Sequence, residues 1–141
     1  MSITNIFGIA GSALNAQITR MNATASNLAN AGTVSSTEAE AYRGKRAVFK
    51  ALVSEELTNA GAPYVGGVMV SGVVDDGAAP RRVSDPKNPL ADKDGYVYQS
   101  NVSEVGEMVD MMAAARSYQN NVEVINNARQ LMLRTLDITK S

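Results

Sequence analysis

Hydrophobic positions divide the chain into three stretches with different periods. Phe7, Leu14, Met21 and Leu28 fall seven apart, with Ala10, Ile18 and Ala25 between them at three or four, so the first thirty residues read as one helix carrying a heptad seam. One position round the cylinder lies a second stripe, Gly8, Ser12, Asn15, Thr19, Asn22, Ser26 and Asn30, which is small, polar and neutral. Arg20 is the only charge in the segment. A helix lying on its own domain normally shows Lys and Glu on its outer face. This one reads either as a helix surrounded by other helices or as a weakly charged surface helix, and hydropathy does not separate the two. Past its end, Gly32 is the expected left-handed stop, and Asn30 the residue placed to satisfy open carbonyls near it. Neutral amides such as Asn22 and Asn30 fix register when buried between helices.

From Thr33 to Ser100 the pattern shortens. RAVFKALV (Arg46–Val53) and GVMVSGVV (Gly67–Val74) are rich in β-formers, and turn signals stand at Gly61–Pro63, Gly66-Gly67, Asp75–Pro80 and Asp92–Gly95. Shorter strands are expected around Arg82-Val83 and at Tyr96–Tyr98, and TVSSTEAEA (Thr33–Ala41) reads as a polar loop. The helical period returns from Val102 to Asp137, where Met108, Met111, Ala115, Tyr118, Val122, Ile125, Arg129, Met132 and Leu136 alternate spacings of three and four. Val105, Val109 and Met112 widen that stripe into a shoulder. Asn101 and Glu104 resemble a capping box, and acids at the start with Arg129, Arg134 and Lys140 near the end suit the helix dipole.

The fold class expected is α+β: residues 1–32 and 101–141 pair as a coiled-coil-like helical domain, and residues 33–100 form a small, mainly antiparallel β insertion. At about 1.5 Å per residue the helices would be roughly 40 and 50 Å long, against about 25 to 30 Å for a unit of the insertion's size. Two paired helices leave much apolar surface wet, so self-association or co-assembly is the expected outcome.

Composition narrows the chemistry. The 141 residues, 45% hydrophobic, suit one ordinary domain, and 13 basic against 14 acidic side chains give no broad positive surface for nucleic acid. Lys45-Arg46 and Arg81-Arg82 read as solvated loop charges. With no His and no Cys, nucleophilic triads, disulfides and the common zinc sites are excluded. Gly44-Lys45 lacks the upstream glycine of a P-loop, and DKDGY (Asp92–Tyr96) fits a tight turn better than a calcium loop. Asp75-Asp76 and Glu55-Glu56 read as solvated carboxylates. No catalytic residue, cofactor or metal is expected, and the chain is not expected to be an enzyme. No apolar run approaches the roughly 18 residues of a membrane span, and the start lacks the positive n-region of a cleaved secretory signal.

GSALNAQITRMNATASNLANAGT (Gly11–Thr33), with Asn27-Leu28-Ala29-Asn30 at its core, resembles the N-terminal signature of the bacterial flagellar axial proteins, the rod and hook subunits. YRGKRAVF (Tyr42–Phe49), NPLADKDGYV (Asn88–Val97) and VGEMVDMMAAARSYQNNVEVINNARQLMLRTL (Val105–Leu136) are similar to the short proximal-rod members of that family. TVSSTEAEA matches no motif of it. The resemblance implies a structural subunit exported uncleaved through the flagellar type III apparatus. It would assemble in the periplasm into the drive shaft that carries torque from the membrane ring to the distal rod and hook. It further implies that both termini form the inner layer and the insertion faces outward. The implied partners are copies of itself, rod protein B, rod protein F, the distal rod protein and the rod-to-membrane-ring adaptor protein, without nucleic acid or embedding in the membrane. A generic coiled-coil adaptor or secretion-needle component is the alternative.

The candidate subunit interface consists of Phe7, Ala10, Leu14, Ile18, Met21, Ala25 and Leu28, with Asn22, Asn27 and Asn30, on the first helix. On the second it consists of Val105, Met108, Met111, Met112, Tyr118, Val122, Ile125, Met132 and Leu136. Methionines suit unequal neighbours, and Gly8, Gly11 and Gly106 are placed to let helices approach closely.

Overall fold

The structure, a computed structural model, describes residues 3–52 and 66–140, with side chains through Ile138. The turn signal at Gly61–Pro63, the final Val53 of the first expected strand and the pair Glu55-Glu56 lie outside the described residues. The elements are α1 (Ile3–Asn30), β1 (Val34–Ser35), β2 (Lys45–Ala51), β3 (Val68–Asp75), β4 (Arg81–Ser84), β5 (Tyr96–Gln99) and α2 (Glu104–Lys140). The chain is α+β, with two long helices that pack together and a small antiparallel β region between them in the sequence.

The strands form a two-stranded sheet, β2 with β3, and a three-stranded sheet in the order β1-β5-β4. β4 runs antiparallel to β5, from Arg81 opposite Gln99 to Ser84 opposite Tyr96. β1 takes the other edge, with Val34 opposite Gln99 and Ser35 opposite Tyr98. That two-residue strand lies inside the stretch expected to be a loop. Its pairing rests on backbone bonds to a neighbour distant in sequence, a cause that local composition does not carry.

Each helix end differs from expectation at one residue, while Asn30 takes an open carbonyl as expected. Gly32 is not left-handed; among the described residues only Gly66, Gly67 and Gly95 have positive φ. α1 stops because other groups take its last carbonyls. Asn30 Nδ2 donates to Ser26 O at 2.8 Å, Thr33 Oγ1 to Asn30 O at 2.7 Å, and Ser100 Oγ, fully buried, to Ala31 O at 2.6 Å. α2 is capped by Ser103, whose Oγ accepts from Gly106 N at 3.3 Å. Asn101 instead ties loops: its Oδ1 accepts from Gly44 N at 2.7 Å and its Nδ2 donates to Ala78 O at 2.8 Å.

The described residues group into two compact units. One holds those of Met1–Thr19, Val48–Gly72 and Ala113–Ser141; the other holds Arg20–Ala47 and Val73–Met112. In the first, Ala10 and Ala16 of α1 and Ala114 and Ala128 of α2 are buried, and Ser12 Oγ accepts from Val68 N at 3.2 Å, tying α1 to the start of β3. In the second, Ala23, Ala31, Ala41, Val97 and Val102 form the apolar core around buried Thr24, Asn27, Ser100 and Glu107.

Candidate subunit interface

In the second unit, α1, β2 and α2 meet at polar side chains rather than at an apolar seam. Asn27 is 0% exposed and uses every hydrogen-bonding position of its amide. Its Oδ1 accepts from Lys45 N at 2.6 Å and from Tyr42 OH at 3.1 Å. Its Nδ2 donates to Lys45 O and to Glu107 Oε2, both at 2.9 Å. Glu107 is 1% exposed, and its other oxygen, Oε1, meets Arg46 Nη1 at 2.9 Å. Arg46 also reaches Asp110 at 3.3 Å and Asp76 at 3.5 Å, and Asp110 pairs with Arg20 of α1 at 2.9 Å. Burying a carboxylate is costly unless it is paired and hydrogen-bonded, and both oxygens of Glu107 are.

Lys45 and Arg46 are solvated as expected, with side chains 41 and 47% exposed, but they are paired and stand in a strand rather than a loop. Both residues open β2; Lys45 is paired with Asp75, whose carboxylate holds its ammonium above the ordinary 10.5, and Arg46 bridges three acids. Asp75-Asp76 is likewise not a free pair. Asp76 Oδ1 accepts from Ala78 N at 2.9 Å, and that bond, with Arg46 adding to it, holds the carboxyl below its ordinary 3.8. Arg82 is in a strand too, with its guanidinium 3.8 Å above the Tyr96 ring and 3.8 to 3.9 Å from Asp94 and Asp92. DKDGY is the tight turn expected: Asp92 Oδ1 accepts from Asp94 N and Tyr96 N at 2.9 Å, and Gly95 has φ 79°.

The expected interface residues separate into two groups. Ala10 and Asn27 are buried within the chain. The others stay at least partly open. On α1, Ile18, Asn22 and Ala25 are exposed, and Phe7, Leu14, Met21, Leu28 and Asn30 are half-buried. On α2, Val105, Met108, Met112, Met132 and Leu136 are exposed, and Met111, Tyr118, Val122 and Ile125 are half-buried. The face α1 buries runs through Ala16, Ala23, Asn27 and Ala31, about a third of a turn from the leucine seam. α2 buries Glu107, Ala114 and Ala128, a heptad one position away from the methionine stripe. A Cβ at Gly11 would meet open space, and one at Gly106 would meet only Ser103, so neither glycine makes room for another helix within the chain.

Tyr42, Arg46 and Glu107 carry the joint, and none of them was expected in that role from the sequence. The available signal was an acid in heptad register with two alanines, which hydropathy scores as surface. Neither described helix is long and apolar enough to cross a membrane.

Comparison with known proteins finds matches at both ends of the chain. A family model described as flagella basal body rod protein matches residues 7–34, and one described as flagellar basal body rod FlgEFG protein C-terminal matches residues 93–138. The flagellar basal-body rod protein FlgC of Yersinia enterocolitica is 48% identical over 138 residues, spanning 98% of each chain. Those of Escherichia coli O6:H1 and Salmonella typhimurium are 48% and 47% identical over the same share. With relatives this similar along nearly its full length, the chain belongs to the FlgC family of flagellar basal-body rod proteins.

Proposed function

We propose that this chain is a structural subunit of the proximal rod of the flagellum, a segment of the periplasmic drive shaft that passes torque from the membrane ring toward the distal rod and hook. One observation carries the reading beyond family membership. The buried apolar residues described are seven alanines and two valines, whereas eighteen large apolar side chains stay exposed. A chain that buries its small residues and displays its large ones has its main packing surface on the outside. Torque passes between subunits without slip when interdigitated side chains must all be displaced together. In this reading residues 1–32 and 101–141 form the inner layer and residues 33–100 the outer one.

The open members of the expected interface are the contacts with neighbours: Phe7, Leu14, Ile18, Met21, Asn22, Ala25, Leu28 and Asn30 on α1, and the stripe from Val105 to Leu136 on α2. Those neighbours are copies of the chain, rod proteins B and F, the distal rod protein and the rod-to-membrane-ring adaptor protein, reached after uncleaved export through the type III apparatus. The role is mechanical, without catalysis or cofactor. In a motile host lacking its own copy, the wild-type gene restores swimming. Leu14→Asp, which places a carboxylate on the half-buried seam, leaves export intact and abolishes rods and swimming. Normal basal bodies built from the Leu14→Asp chain would overturn the proposal.

A further inference from the structure

The start of α2 is turned inside out. Its buried residue is Glu107, while Val105, Met108, Val109 and Met112, which share one ridge at spacings of three and four, are 73, 54, 55 and 64% exposed. The ridge lies roughly opposite Glu107 on the helix. Met108 and Met112 are the two most exposed of the described methionines; Met69 and Met132 are 43 and 37% exposed, and Met21 and Met111 are half-buried. The sequence has no Cys, His or Trp, so thioethers are the side chains a mild two-electron oxidant attacks first.

We propose that Met108 and Met112 form an oxidation-sensitive site, converted to sulfoxide by hydroperoxides, and that this conversion stops the subunit from assembling while leaving its own fold intact. The proposal rests on the rod-subunit reading. In the reaction a sulfur lone pair attacks one peroxide oxygen, the O–O bond breaks and an S–O bond forms. The departing alkoxide, or hydroxide from hydrogen peroxide, takes the proton of the sulfur-bound hydroxyl and leaves as alcohol or water, so sulfur loses the two electrons that the peroxide gains. The product is a polar, chiral sulfoxide on a ridge that was wholly apolar. The fold survives because the buried side chains of this unit are alanines, valines, Thr24, Asn27, Ser100 and Glu107, while Met108 and Met112 stand 54 and 64% exposed. A sulfoxide reductase restores the thioether.

Two measurements decide it. First, the purified full chain is treated with hydrogen peroxide and oxygen uptake is followed at each methionine by mass spectrometry. Met108 and Met112 are expected to oxidise several-fold faster than Met21 and Met111, with helical circular dichroism and melting unchanged. Equal rates at all four, or loss of the fold in step with oxidation of the ridge, overturn the proposal. Second, a host lacking its own copy receives the wild-type gene, the double variant Met108→Leu with Met112→Leu, or Met108→Gln with Met112→Gln, whose amide stands in for the sulfoxide. The leucine pair is expected to swim and the glutamine pair, although exported, to lose swimming. A swimming glutamine pair overturns the switch and leaves the rod reading standing; so does a leucine pair that fails, because the thioether itself would then be required. Failure of the wild-type gene would instead sink the rod reading.

Discussion

Asn27 shows how a single residue can be recognisable in sequence yet have its role set by its surroundings. It stands at the centre of the motif Asn27-Leu28-Ala29-Asn30, and in the structure its amide joins α1, β2 and α2. Asn27→Asp keeps the shape but replaces the Nδ2 donor with an oxygen facing Glu107 Oε2. Two facing carboxylates, with the loss of both hydrogen bonds that Nδ2 donated to Glu107 Oε2 and Lys45 O, should cost roughly 2–4 kcal/mol at pH 7. The repulsion needs both carboxylates ionised, so that part of the cost shrinks as pH falls from 7 toward about 4. Urea midpoints of variant and wild type should therefore converge as pH falls from 7 toward 4, and a constant gap would contradict the account. Asp76 has the opposite sign. With its folded pKa below 3.8, it contributes stability that is present above 3.8 and is lost as pH falls through the folded value. Carbon-detected titration of its carboxyl should give a midpoint under 3.8, rising toward that value when Arg46→Met removes the neighbouring guanidinium.

At the scale of elements, the helices were readable because a seven-residue period persists over many turns, which few other structures impose. Their ends were readable only in part: Asn30 takes the Ser26 carbonyl as expected, but one partner at the end of α1 comes from far along the chain. Ser100, far along the chain, takes the Ala31 carbonyl, and Thr33 folds back on Asn30. The cap of α2 is local, and Ser103 rather than Asn101 holds it. Ser103→Ala should lower the stability of the isolated chain by about 0.5–2 kcal/mol, with Ser103→Asp retaining it; equal melting of the alanine variant and wild type would remove Ser103 from the cap. At the turn into β5, Gly95 is required on two grounds: its φ of 79°, and Pro86 Cγ, which stands 3.2 Å from where a Cβ would be.

For the whole molecule, the division between inside and outside follows size rather than hydropathy. Ala10, Ala16, Ala114 and Ala128 are buried in one unit, while Val124 and Leu131 on α2 remain exposed. Replacing Val124 and Leu131 together by Lys should change the isolated chain's stability by no more than about 0.5 kcal/mol per site. In a host without its own copy the same change should abolish rod incorporation. Retained swimming would mean that this stripe meets no neighbour, and a large drop in melting temperature would mean that it belongs to the chain's own core.

Period, composition and turn chemistry were enough to specify two long helices, four of the five strands among the described residues and the tight turn at Asp92–Gly95, because each depends on residues close together in the chain. The sequence also carried family membership, through motifs at both ends. Only the tertiary structure decided which face each helix buries. A heptad of leucines and a heptad of alanines have the same period, and hydropathy favours the larger side chains. The choice between them depends on how closely the helices approach and on polar partners such as Arg46 and Asn27, which let Glu107 go inside and leave Val105, Met108, Val109 and Met112 out.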